Sequence, residues 1–287
     1  MFEIPSTLKW LEGSCDGRRW LRELPGQVQA CVDQWSLRLE PPYQDSQVSV
    51  VFPAVREDRS HAVLKLQFPH SECEHEAEAL RLWNGQGAAR LLAHNLSLHA
   101  LLLERCEPGD HLSRVSADEA LNVFSELLPR LWIKGSEPFT SLSEESQRWA
   151  EQLAAAWEKA GRPCERELLH AALYALDRLV GGQGEQVLLH QDLHGDNVLR
   201  ATREPWLVID PKPLVGEREF SLAPIIRDYD FGHSRQHVLG RLDRLASVLR
   251  LDPERARLWA LVQTLAWAFE SKVIERHLET ARWLWRA

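Results

Sequence analysis

Residues Leu188–Leu199 read LLHQDLHGDNVL, and Val208–Lys212 follow as VIDPK. Asp192 and Asn197 stand five apart with His190 two before the aspartate, the D-x-x-x-x-N spacing of a phosphoryl-transfer loop. A loop between short strands, with Asn197–Arg200 and Trp206–Asp210 after it, can aim Asp192 at an attacking hydroxyl. Asn197 can then turn back toward a Mg2+ ion, and Asp210, ending the next apolar strand, reaches the same ion. Two oxygen ligands completed by phosphate oxygens and waters are what Mg2+ accepts. The spacing alone is common by chance, so its meaning rests on what stands upstream.

Upstream, His61–Phe68 (HAVLKLQF) alternates as a half-buried strand and places Lys65 among apolar neighbours. Eleven positions on, Glu76 opens the apolar stripe of a helix expected over Cys73–Asn84, with Ala77, Leu80 and Trp83 at helical spacing. A strand lysine held by a helix carboxylate is how kinase-type sites fix α- and β-phosphates. Glu78 is the weaker partner, because the stripe favours Glu76.

Further strands are expected at Cys31–Leu39 and Gln47–Pro53, with Pro41, Pro42 and Asp45 in the turn between them. A hairpin follows at Ala89–Leu92 and Leu98–Glu104. Pro108-Gly109 marks the best boundary, giving a lobe over 1–105, a hinge near 104–110 and a second lobe over 106–287. Asp118–Val180 and the stretch from Asp228 onward read as helical. Strands and helices are therefore segregated, which argues α+β rather than a wound parallel sheet. The architecture expected is bilobal: a small antiparallel-sheet lobe carrying one helix, then a larger, mainly helical lobe.

Composition limits the partners. The 287 residues are 44% hydrophobic and 26% charged, an ordinary globular balance. A net charge of -8 leaves no basic footprint for nucleic acid and suits a cationic small molecule better. Apolar runs such as Leu265–Phe269 fall far short of the roughly 20 residues of a membrane span. The five scattered cysteines form neither a disulfide framework nor a zinc motif. A cytoplasmic protein, monomer or homodimer, is expected.

The segments Leu82–Leu92 (LWNGQGAARLL), Leu101–Arg105 (LLLER), His190–Leu199 and Trp206–Glu217 (WLVIDPKPLVGE) carry a resemblance. The chain resembles the aminoglycoside phosphotransferase family of the protein-kinase-like fold, and within it the branch of streptomycin 6-phosphotransferases and hydroxyurea kinases. The resemblance implies that a nucleoside triphosphate, ATP or GTP, donates its γ-phosphoryl to a hydroxyl of a small cationic acceptor. It implies Lys65 on the nucleotide phosphates with Glu76 pairing it, Asp192 as catalytic base, and Asn197 and Asp210 on Mg2+. Glu104, Arg105 and Cys106 would form the hinge whose backbone holds the adenine. The loop Glu40–Gln47 (EPPYQDSQ) lacks the glycines of a protein kinase, leaving Ser46 or backbone amides for the phosphates. Asp-Pro-Lys replaces Asp-Phe-Gly, and no activation segment follows, so regulation by loop phosphorylation is not expected.

Acceptor contacts are expected from carboxylates at Glu217, Glu219, Asp228 and Glu270, which could hold ammonium or guanidinium groups, and from His194. Two other readings compete. His190, Asp192, His194 and Asp196 alternate, as in the metal cluster of a hydrolase; that leaves Lys65, Asn197 and Asp210 idle. A catalytically inactive nucleotide-binding protein would not need the complete Lys/Glu/Asp/Asn/Asp set.

Overall fold

The computed structural model describes residues 2–70, 74–269 and 271–287. The chain divides into two compact units, Met1–Gly109 and Asp110–Ala287.

The first unit opens with a 3-10 segment, Ser6–Gly13, and a long helix α1 (Cys15–Trp35). Strands β1 (Arg38–Leu39), β2 (Ser49–Val55) and β3 (His61–Gln67) precede helix α2 (Glu76–Trp83), then β4 (Leu91–Asn95) and β5 (Ala100–Glu104). The strands form one antiparallel sheet in the order β1-β2-β3-β5-β4. Lys65 sits opposite Val51 on one side and Leu101 on the other, at the centre of the sheet.

Helix α1 corrects the strand expected at Cys31–Leu39, of which only Arg38–Leu39 is extended. Ser14 caps α1 by accepting the Gly17 amide, and Trp20, Leu24, Val28 and Cys31 recur at helical spacing and bury against the sheet. That stripe outweighs the β-branched and aromatic residues near its end. Leu8 and Leu11 of the 3-10 segment join the same core. Gly17 permits this, because a Cβ there would lie 2.1 Å from the Leu11 carbonyl oxygen.

The second unit holds helices α3 (Ala117–Leu131), α4 (Leu142–Lys159) and α5 (Arg166–Val180), where the sequence reads as helical. Short strands β6 (Val187–Leu189), β7 (Val198–Arg200), β8 (Trp206–Val208) and β9 (Leu214–Gly216) then form two ribbons, β6 with β9 and β7 with β8. Helices α6 (Ala223–Arg227), α7 (Arg235–Leu249), α8 (Pro253–Ala268) and α9 (Ile274–Trp285) complete the chain. Trp149 stacks on Phe220, which meets Trp259 edge-on, so these aromatics fill the core against the β6–β9 ribbon. Among the described residues, no helix is long and apolar enough to cross a membrane.

Candidate active site

In the first unit, Lys65 and Glu76 meet. The Lys65 ammonium lies 2.6 Å from Glu76 Oε2, and the Gln67 side-chain amide donates to the same oxygen at 2.6 Å. Lys65 is central in the sheet and Glu76 opens α2, so strand and helix are tied by a pair that is buried at both ends. A buried ion pair needs such additional hydrogen bonds to offset its desolvation. Glu78 instead faces Arg81 at 3.7 Å.

Along the same unit, Glu104 accepts the Arg90 amide, Arg105 reaches Glu40 at 3.2 Å, and Cys106 is buried. The Ser46 hydroxyl shares a hydrogen bond of 2.6 Å with Ser49.

In the second unit, two left-handed residues shape the site loops: Gln191 (φ 61°) after β6 and Asp210 (φ 56°) after β8. The His190 carbonyl accepts the amides of Asp192 and Lys212, which brings the two quoted motifs side by side. The His190 ring, buried and pushed down to about 4, is neutral and donates through Nε2–H to the Ile209 carbonyl at 2.9 Å. Gln263 of α8 donates to the Gln191 carbonyl at 2.9 Å and so holds the turn just before Asp192. Gly195 is demanded by space: a Cβ there would lie 2.7 Å from the Phe231 ring and 2.9 Å from the Ser113 backbone.

Asp192 is gripped by two cations, Arg227 on Oδ1 and Lys212 on Oδ2, each at 3.2 Å. Burial pushes its carboxyl upward, but Lys212, His194 and Arg227 together outweigh this and hold it well below the usual carboxylate range. Both cations also lie over the Trp267 ring, Arg227 at 4.2 Å and Lys212 at 4.8 Å from its centroid. Sequence reasoning missed Arg227, Trp267 and Gln263, and quoted Lys212 without giving it a role. Lys212 alone carried a signal, its place directly after Asp210-Pro211.

The Asn197 side-chain nitrogen donates to the Asp192 carbonyl at 2.8 Å, so the oxygen of the same amide is the atom that can ligate a metal ion. The Asn197 carbonyl accepts the Ile209 amide, setting Asp210 next in the chain beside it. One amide oxygen and one exposed carboxylate are hard oxygen donors that fit Mg2+.

The acceptor contacts expected from sequence need correction. Glu217 is 2% exposed and grips Arg255, whose Nη2 lies 2.7 Å from Oε1, while the Trp259 indole N–H donates to the same oxygen. Asp228 is also buried and accepts the Gly195 amide at 2.9 Å and the Asp230 amide at 3.0 Å. Both carboxylates therefore brace the fold instead of facing solvent. Glu219 is half-buried and accepts the Asp252 amide at the start of α8, and His194 Nδ1 accepts the Asp196 amide. Glu270 lies outside the described residues.

The four alternating side chains of the hydrolase reading do not share a strand face. Gly195–Asn197 form a 3-10 turn, and Asp196 turns to Ser113. Among the described residues, no group of three His, Cys, Asp or Glu is placed to hold a metal.

A family model described as aminoglycoside/hydroxyurea antibiotic resistance kinase matches residues 34–277. A streptomycin 6-kinase from Streptomyces griseus is 38% identical over 260 residues, covering 88% of this chain and 84% of the relative. A hydroxyurea phosphotransferase from Kitasatospora aureofaciens is 40% identical over 281 residues, covering 93% and 81%. Among solved structures, a choline kinase from Streptococcus pneumoniae superposes with a TM-score of 0.65 at 12% identity, over 92% of this chain and all of that one. An aminoglycoside phosphotransferase solved with ADP and hygromycin B gives 0.62 at 14% identity, over 90% and 95%. The fold is protein-kinase-like.

Proposed function

Because the chain belongs to the aminoglycoside/hydroxyurea antibiotic resistance kinase family, we propose that it moves the γ-phosphoryl group of ATP (or GTP) to a hydroxyl of a streptomycin-like aminoglycoside. The enzyme is a phosphotransferase with an alcohol group as acceptor, and the modified aminoglycoside would lose its antibiotic action. The observation that carries the reading is Asp192, a carboxylate kept ionised by two cations and set five residues before Asn197.

In this mechanism Lys65, fixed by Glu76, holds the nucleotide phosphates. Asn197 and Asp210 would hold Mg2+, which when bound neutralises phosphate charge. Glu104, Arg105 and Cys106 supply backbone to the adenine. Asp192 orients the acceptor hydroxyl and takes its proton as the new oxygen–phosphorus bond forms and the bond to the β-phosphate oxygen breaks. An aspartate held so firmly in its ionised form is a weak base. Its main contribution is then orientation, which suits a loose transition state in which proton transfer comes late. Of the acceptor contacts expected from sequence, His194 and Glu219 keep that role, since Glu217 and Asp228 are spent on the fold.

Hydroxyurea is the second reading for the acceptor, favoured by the 40% identity to the hydroxyurea phosphotransferase. Nucleotide-consumption assays with Mg2+ over a panel of aminoglycosides, hydroxyurea and sugar alcohols decide between them. Consumption that depends on streptomycin supports the proposal, and dependence on hydroxyurea transfers it to the second reading. Nucleotide binding without turnover on any member of the panel would refute both.

A further inference from the structure

We propose that Thr7 and Trp10, in the 3-10 segment ahead of α1, are positioning residues for the nucleotide phosphates, acting through the glycine-free loop of residues 40–47. The inference rests on the kinase reading above.

The Thr7 hydroxyl lies 2.5 Å from the Ser46 carbonyl oxygen and 3.2 Å from that of Gln44. The Trp10 indole N–H donates to the Gln47 carbonyl at 2.8 Å. Three carbonyls of one short loop are thus turned toward the amino-terminal segment. The three peptide bonds that follow them are trans. In a trans peptide the N–H points opposite to the C=O, so the amides of Asp45, Gln47 and Val48 face away from Thr7 and Trp10. None of these amides donates a hydrogen bond within the described residues.

A glycine-rich loop reaches phosphate oxygens because its backbone tolerates the turns that aim several amides together. This loop carries Pro41, Pro42, Tyr43, Gln44, Asp45 and Ser46, none of which supplies that freedom. Side chains from outside the loop impose the amide orientation instead. The brace is itself anchored: Leu8, between the two residues, and Leu11, directly after Trp10, are fully buried, and the Trp10 ring meets Phe68 edge-on at 6.3 Å. Phe68 in turn donates its amide to Val48, so the indole locks the loop from two directions.

The test compares wild type with the double variant Thr7→Val/Trp10→Phe, which deletes both donors and keeps the shapes. Thr7→Ser in an otherwise wild-type chain retains its hydroxyl. Titration calorimetry with ATP and Mg2+, and separately with adenosine, gives the affinities, and the melting midpoint reports folding. The expected result is a loss of ATP affinity in the double variant of about tenfold, the size of one charge-assisted hydrogen bond. Adenosine affinity and melting stay near wild type, and Thr7→Ser binds ATP normally. Unchanged ATP affinity in the double variant would overturn the inference. So would an equal loss for adenosine accompanied by a lower melting midpoint, the mark of a merely structural brace. A wild-type protein that binds adenosine and ATP equally well, or neither, would instead defeat the kinase reading itself.

Discussion

Replacing Glu217 with glutamine removes one charge at nearly constant shape and separates a structural carboxylate from an acceptor-binding one. In the folded chain Glu217 is 2% exposed, receives three contacts at 2.7–3.1 Å from Arg255, and accepts the Trp259 indole N–H. Breaking a buried pair by neutralising one partner costs roughly 3–5 kcal/mol. The Arg255 side chain is 24% exposed and recovers some hydration, which places the expected loss near the lower end, about 3 kcal/mol. For a unit of this size each kcal/mol lowers the melting midpoint by roughly 2–4 °C, so a drop of about 6–12 °C is expected. Thermal melting and acceptor KM, measured on the same preparation, check it. A variant that melts like wild type while its acceptor KM rises more than about tenfold would show that Glu217 reaches the acceptor. The structural assignment would then be wrong.

Asp192→Ala is expected to leave nucleotide affinity near wild type and to lower turnover by roughly 10²-fold or more, checked by calorimetry and steady-state kinetics. Gly195→Ala must displace Phe231 or the Ser113 backbone. It is expected to lower kcat with little change in nucleotide affinity, because the shift falls between Asp192 and Asn197. His277, facing Arg227 and His233, is pushed down to about 4, first by burial and then by those charges. Its folded value lies below the unfolded one near 6.5, so the unfolded chain takes the proton first as acid is added. Stability is therefore full above about pH 6.5 and declines toward pH 4, by at most about 3 kcal/mol from this group. Denaturant titrations of wild type and His277→Leu should show the variant with the flatter profile over that window.

The sequence carried the site where chemistry leaves local traces. A lysine amid apolar strand neighbours, with a glutamate eleven positions later at the head of an apolar stripe, announced the pair found at 2.6 Å. Likewise the spacing of Asp192 and Asn197, and the aspartate ending the next apolar run, gave the catalytic loop its outline. Side chains that converge from distant helices leave no such trace. Arg227 and Gln263 occupy ordinary helical positions, and only the folded chain brings them to Asp192 and Gln191. Glu217 and Asp228 misled for a related reason. Closeness in the chain to Asp210 says nothing about direction, and both point inward to partners the sequence does not reveal. Helix α1 was hidden by Gly17, Pro25 and Gly26, residues that weaken helical propensity although its buried stripe is regular. Packing against the sheet, not propensity, decides that helix.

The buried stripe of α1 bears on any effort to isolate this enzyme in shortened form. The family match begins at residue 34, whereas Trp20, Leu24, Val28 and Cys31 cover the sheet face formed by Phe52, Leu64 and Leu66, opposite to Lys65. A chain cut at that boundary would leave Phe52, Leu64 and Leu66 facing water and would aggregate in the manner of any uncovered apolar sheet surface. The catalytic signature is thus shorter than the smallest piece able to fold, and mutational surveys confined to the matched span would overlook substitutions at positions 8 to 31 that silence the enzyme by unfolding it.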